Sequence, residues 1–123
     1  MKFYRHFLVY KGECFSIYFH AEEKEDSIVY EYYKKCDDVT RASLLFLAKR
    51  IADMGHIFDK TKFRIEDKKN KIYVFKPKQD RFFCFFSVNK KIIITSAYRK
   101  KKQKLDFKEL KKAVVIRNQY IDN

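Results

Sequence analysis

Between residues 72 and 95 the chain carries three short runs of aromatic and β-branched side chains: Ile72-Tyr73-Val74-Phe75, Arg81 through Phe86, and Ile92-Ile93-Ile94-Thr95. The connections between them, Lys76 to Asp80 with Pro77 and Ser87 to Lys91 with Asn89, are too short for the crossover that a parallel pair requires. An antiparallel meander is therefore expected. Residues 3–10 and 14–19, on either side of Lys11-Gly12-Glu13, suggest a further strand pair turning at Gly12. Residues 27–36 place Val29, Tyr32, Tyr33 and Cys36 at helical spacing after Ser27, although a strand or an irregular segment reads similarly.

Two helices are plainer. Leu44, Leu47, Ala48, Ile51 and Met54 fall on one face of a helix at about 39–54, which Gly55 is placed to end. Asp37-Asp38 at its head reads as capping and dipole-complementing rather than as a catalytic pair. Asp106 and Glu109 open a last helix at about 106–121, with Phe107, Leu110, Val114 and Ile121 as its apolar face. These elements predict one α+β domain over residues 1–123, with helices on one face of an antiparallel sheet.

Charge is distributed unevenly. The net charge is +13, yet residues 1–59 hold 9 Lys and Arg against 10 Asp and Glu, while residues 60–123 hold 20 against 6. A basic half of this kind suits a polyanion or an acidic partner. Cys14, Cys36 and Cys84 are far apart and form no C-x-x-C pair, so neither a disulfide framework nor a zinc site is expected. Cys84, flanked by four phenylalanines, reads as core. His6, His20 and His56 are isolated and read as surface or packing residues, and no Gly-rich phosphate loop or H-E-x-x-H motif occurs. The apolar run near the start is too short and broken for a signal peptide or a membrane span, which gives a cytoplasmic expectation.

The densest motif is Tyr98-Arg99-Lys100-Lys101-Lys102-Gln103-Lys104, placed after the third run and before the last helix. In a meander, Lys76, Arg81 and this segment are expected to lie close together. Their cations would then face phosphates or carboxylates.

In order and spacing, Lys71 through Lys76, Asp80 through Phe86 and Ile92 through Lys104 resemble the RelE/ParE toxin superfamily in its HigB-like, phage-derived branch. Glu109 and Ala113 fit the helix that follows, and the likeness spans roughly 39–121. Val74 stands where that branch usually has Glu, Tyr98 where it has Phe, and Leu105-Asp106 where Thr-Pro often opens the helix. The resemblance implies a toxin of a type II toxin–antitoxin pair that cuts messenger RNA on the ribosome through cationic residues, with no metal or other cofactor. It implies Arg81, Arg99, Tyr98 and Lys76 as catalytic residues, and Lys62, Lys100, Lys101, Lys102 and Lys104 as phosphate-binding residues. The partners implied are the ribosome, messenger RNA and an acidic antitoxin with a helix-turn-helix domain, with no membrane. A non-enzymatic ParE-like gyrase inhibitor or a basic RNA-binding module is the alternative reading.

Overall fold

A computed structural model describes residues 3–121. After a 3₁₀ turn at Arg5–Phe7 come β1 (Leu8–Lys11), β2 (Ser16–Phe19), α1 (Ile28–Lys35), α2 (Asp38–Met54), β3 (Phe63–Asp67), β4 (Ile72–Phe75), β5 (Asp80–Ser87), β6 (Lys91–Arg99) and α3 (Phe107–Ile121). The strands form one sheet in the order β1-β2-β6-β5-β4-β3. Every pair is antiparallel except β2 with β6, which run parallel because α1, α2 and the meander intervene between them. The α+β class and the meander are as expected. β3 is an additional strand, and β6 runs four residues past Thr95.

Alternation along the central strands builds two cores. Phe82, Cys84, Ile92 and Ile94 join Leu44, Leu47, Ala48 and Ile51 of α2 on one face. Phe83, Phe85 and Ile93 meet Leu110 and Ala113 of α3 on the other. The helices thus cover both faces. The expectation of one covered face failed because β5 is apolar at consecutive positions from Phe82 to Phe86, the pattern of a strand buried on both sides rather than one.

Helix ends follow local chemistry. Ser27 Oγ accepts from Tyr30 N–H, Asp37 Oδ1 from Thr40 N–H, and Asp106 Oδ1 from the N–H groups of Lys108 and Glu109. Gly55 closes α2 at φ 86°, a left-handed conformation that glycine adopts without strain. At Gly12 an added Cβ would lie 2.5 Å from the Ala52 carbonyl carbon, so the β1–β2 turn can press on α2 only without a side chain.

Two helix faces differ from the reading above. Met54 is exposed, and α2 buries Ala52 instead. On α3, Phe107 and Ile121 are exposed while Leu110, Ala113, Val114 and Tyr120 pack inward. The inward stripe includes the small Ala113 and the amphipathic Tyr120, which a search for large aliphatics passes over. The Tyr120 hydroxyl lies 2.8 Å from His20 Nδ1, and its ring sits edge-on to Phe85. His20 is buried, and that burial lowers its pKa against the opposing pull of Glu22. Cys84 is fully buried. No helix among the described residues is long and apolar enough to cross a membrane.

Candidate nucleic-acid site

The α3 face of the sheet is only partly covered. Beyond the helix, where β3, β4, β5 and β6 end together, charged side chains replace the apolar rows. Arg64 lies opposite Val74 and Val74 opposite Phe83. One row further, Arg81 lies opposite Tyr98, and Lys76 N–H donates to Lys62 O at 2.8 Å, continuing the ladder past Phe75. The result is a small hollow lined by Arg64, Glu66, Lys76, Arg81, Tyr98 and Lys100, with Val74 and Phe83 beneath. Its free volume is only about 10 Å³, room for a single water or an oxygen atom. It is a contact surface rather than a pocket for a base. Beside it, sharing Tyr98, Lys100 and Leu105, the 98–107 segment encloses a wider basic hollow of about 390 Å³.

Each group in the hollow is held in a distinct way. Arg64 donates to both oxygens of Glu66, Nε to Oε2 at 3.2 Å and Nη2 to Oε1 at 3.1 Å, and the Glu66 side chain is nearly buried. Arg81 Nη1 donates to the carbonyl oxygens of Lys78 (2.9 Å) and Asp80 (3.1 Å). Main-chain dipoles fix this guanidinium without neutralising it. Burial first, then the charges of Arg64 and Arg81, push the Lys76 amine below its ordinary value, with Glu66 pulling the other way. Burial also lowers Arg81, although a guanidinium keeps its charge. Tyr98 stacks on Phe83 at 5.7 Å between centroids, and burial raises its hydroxyl pKa while the Asp106 main chain, and after it Arg81, oppose the rise. The hydroxyl therefore remains protonated at neutral pH.

Lys76, Arg81, Tyr98 and Lys100 come together as the sequence suggested. Lys101, Lys102 and Lys104 line the adjoining wider hollow. Lys62 instead lines a groove beside α2 with Phe46, Met54 and Phe58. Arg99 borders that wider hollow too, but its side chain stands across the sheet from Arg81. Because Tyr98 and Arg99 are consecutive in a strand, their side chains leave opposite faces. Arg99 reaches Asp80 Oδ2 at 3.4 Å and Gln79 Oε1 at 2.8 Å, and Tyr32 also donates to Asp80.

Arg64 and Glu66 were missed in the sequence. The signal was present in Phe63-Arg64-Ile65-Glu66, an alternation of apolar and charged residues that fits an edge strand with one solvated face. A register shift between Ile65 and Asp67 marks an irregularity at Glu66. A carboxylate thus enters the cluster from β3, while Val74 occupies the β4 position where the resemblance expects one.

Among the described residues, no three His, Cys, Asp or Glu side chains form a metal-holding group. The family model described as Phage derived protein Gp49-like (DUF891) matches residues 31–117. No curated protein matches the chain at a significant level.

Proposed function

The chain belongs to the phage-derived Gp49-like family, a RelE-like family of toxins in toxin–antitoxin systems, and from that membership we propose that it is a metal-independent endoribonuclease acting on ribosome-bound messenger RNA. The observation that carries this reading is the convergence of Arg64, Lys76, Arg81, Lys100 and Tyr98 around one carboxylate, Glu66, on the uncovered end of the sheet. These are the parts that cleavage by an internal nucleophile requires.

In the reaction, the 2′-hydroxyl of one nucleotide attacks the adjoining phosphorus. Its O–H bond breaks, an O–P bond forms, and the P–O bond to the next nucleotide's 5′-oxygen breaks. Glu66 takes the 2′-hydroxyl proton. Lys76, whose amine burial makes readier to release its proton than a free lysine, supplies one to the departing 5′-oxygen. Arg81 and Arg64 face the phosphorane oxygens as negative charge builds, the type of stabilisation that contributes most when the donors are already in place. Tyr98 presents a neutral hydroxyl to a phosphate oxygen or its ring to a base. The small size of the hollow, with room for about one oxygen atom, fits a substrate whose bend is imposed from outside, which is what the ribosome would supply. Lys101, Lys102 and Lys104 bind flanking phosphates, and an acidic antitoxin would compete with RNA for this surface.

The test is reconstituted translation with primer-extension mapping of cuts, run beside naked RNA and beside a gyrase supercoiling assay. Cuts confined to translated messages support the proposal. Intact messages together with inhibited supercoiling would replace it with the ParE-like alternative, which the missing β4 glutamate favours a little.

A further inference from the structure

Residues 99–104 put five cations in six positions, and the aromatic ring that follows them, Phe107, is left in solvent. Phe107 is 74% exposed and belongs to neither core, because α3 turns Leu110 and Ala113 towards the sheet instead. A phenylalanine so placed forgoes the stabilisation that its burial would bring. Its backbone is nonetheless held. Leu105 packs against the core on the α3 side, Asp106 Oδ1 caps the N–H groups of Lys108 and Glu109, and Leu110 N–H donates to Asp106 O at 3.0 Å. The ring therefore stands on a fixed first helical turn, at the wall of the wider basic hollow.

Size divides the two basic hollows. The one around Glu66 has a volume of about 10 Å³ and admits a single oxygen atom, whereas the one enclosed by residues 98–107 has about 390 Å³. Sites that enclose a small organic group run from about 300 to 1,000 Å³. The two share Tyr98, Lys100 and Leu105, so one ligand can enter both. Lys100, Lys101, Lys102 and Lys104 make no ion pair among the described residues. A ligand that answers all of these features carries phosphates and, beside them, a flat group with a π face, which describes single-stranded nucleic acid. An acidic peptide would answer the lysines but would leave the ring without a matching surface.

We propose that Phe107 is the platform on which the nucleobase next to the scissile phosphate stacks, with Lys101, Lys102 and Lys104 holding the phosphates around it. Stacking accepts every base, since each has a π face, and is strongest for the larger purines. The platform thus sets where along a message the small hollow meets a phosphate, and it biases cleavage towards a purine at the stacked position. The identity of the neighbouring phosphate as the scissile one rests on the nuclease reading, but the stacking itself is read by binding, without any cut.

The experiment titrates the full chain with short single-stranded RNAs whose 2′-oxygens are methylated, so that they cannot be cut, and which carry 5-iodouracil, a base that photo-crosslinks to an aromatic ring stacked on it. The crosslink should map to Phe107. Phe107→Ala should weaken binding about 5–150-fold, and Phe107→Tyr should restore most of it. Lys101→Ala should weaken binding and flatten its salt dependence by about one phosphate's worth while leaving the Phe107 crosslink at saturation. Phe46→Ala, at another well exposed ring in the separate α2 groove, should change neither readout. A chain that binds no RNA, a crosslink at another ring, or unchanged affinity in Phe107→Ala would each overturn the proposal. So would a polyglutamate peptide that binds as tightly as RNA and is weakened equally by Phe107→Ala, since the hollow would then be a site for acidic protein. In reconstituted translation, Phe107→Ala cutting at the same positions and rate as the unaltered chain would remove the platform and keep the nuclease reading. Intact messages together with the Phe107 crosslink would keep the platform and remove the nuclease reading.

Discussion

Arg81 and Arg99 sit almost side by side on paired strands, yet they face different surroundings. Arg99 is matched to Asp80, which is almost fully buried and also holds the Tyr32 hydroxyl, so its charge is answered within the fold. Arg81 is held by two carbonyl oxygens and shares its hollow with Lys76, Arg64 and Lys100, where one carboxylate faces four cations. The same side chain thus serves as a structural tie on one face and as an unanswered charge on the other. In a strand one residue's displacement reverses the face, so a basic motif read along the sequence mixes the two roles.

The comparison can be broken most sharply at Glu66. Glu66→Gln keeps the side chain's shape and removes its capacity to take a proton, so cleavage of translated messages should fall by about 10²–10⁴ if it is the base. An unchanged rate would remove Glu66 from the reaction. Arg81→Ala should cost about 10²–10³ in the same assay, the range for losing one positioned electrostatic donor. Arg99→Ala should leave most of the cleavage rate intact, and equal losses at both arginines would erase the distinction between the faces.

The Arg99 face should respond in stability instead. Asp80→Ala leaves the Tyr32 hydroxyl without its acceptor and should lower the unfolding free energy by about 1–3 kcal/mol in urea titrations. Equivalent loss on replacing exposed Lys101 would show that the Asp80 tie has no special weight.

Two pH effects are smaller. Lys76 is held below its ordinary value of 10.5, so cleavage should begin to fall, on raising pH, earlier than an unperturbed lysine would dictate. Replacement by Arg, which keeps its proton, should slow cleavage at every pH and remove that alkaline limb. His20 behaves oppositely with respect to acid. Its folded pKa is lowered from 6.5, so the unfolded chain takes up a proton first, and stability present above 6.5 is lost as pH falls through the lower folded value. Melting temperatures measured between pH 7.5 and 5 should therefore drop. The drop should shrink in His20→Gln, and an identical decline there would locate the acid sensitivity elsewhere.

Much of the architecture was legible from local chemistry. Asp37, Ser27 and Asp106 cap helices where the sequence placed them, Gly12 and Gly55 mark the turn and the stop, and short connections made the β4–β5–β6 meander antiparallel. Each depends on atoms a few residues apart, which is why sequence suffices. The α3 face was misread because Phe107 and Ile121 carry the larger apolar side chains, while the surface that receives the helix selects Ala113 and Tyr120.

For the site, the sequence alone determined that the second half is strongly basic, that Lys76, Arg81 and Tyr98 would lie near one another, and that no conventional histidine-based set was available. Only the tertiary structure decided that Arg99 belongs to Asp80, that Glu66 supplies the carboxylate from β3, and that Phe107 stands exposed at the wider basic hollow. The reason is geometric. Charge and propensity belong to residues one at a time, but the face a side chain leaves from, and the neighbour it meets there, depend on register between strands and on where a bulge shifts it.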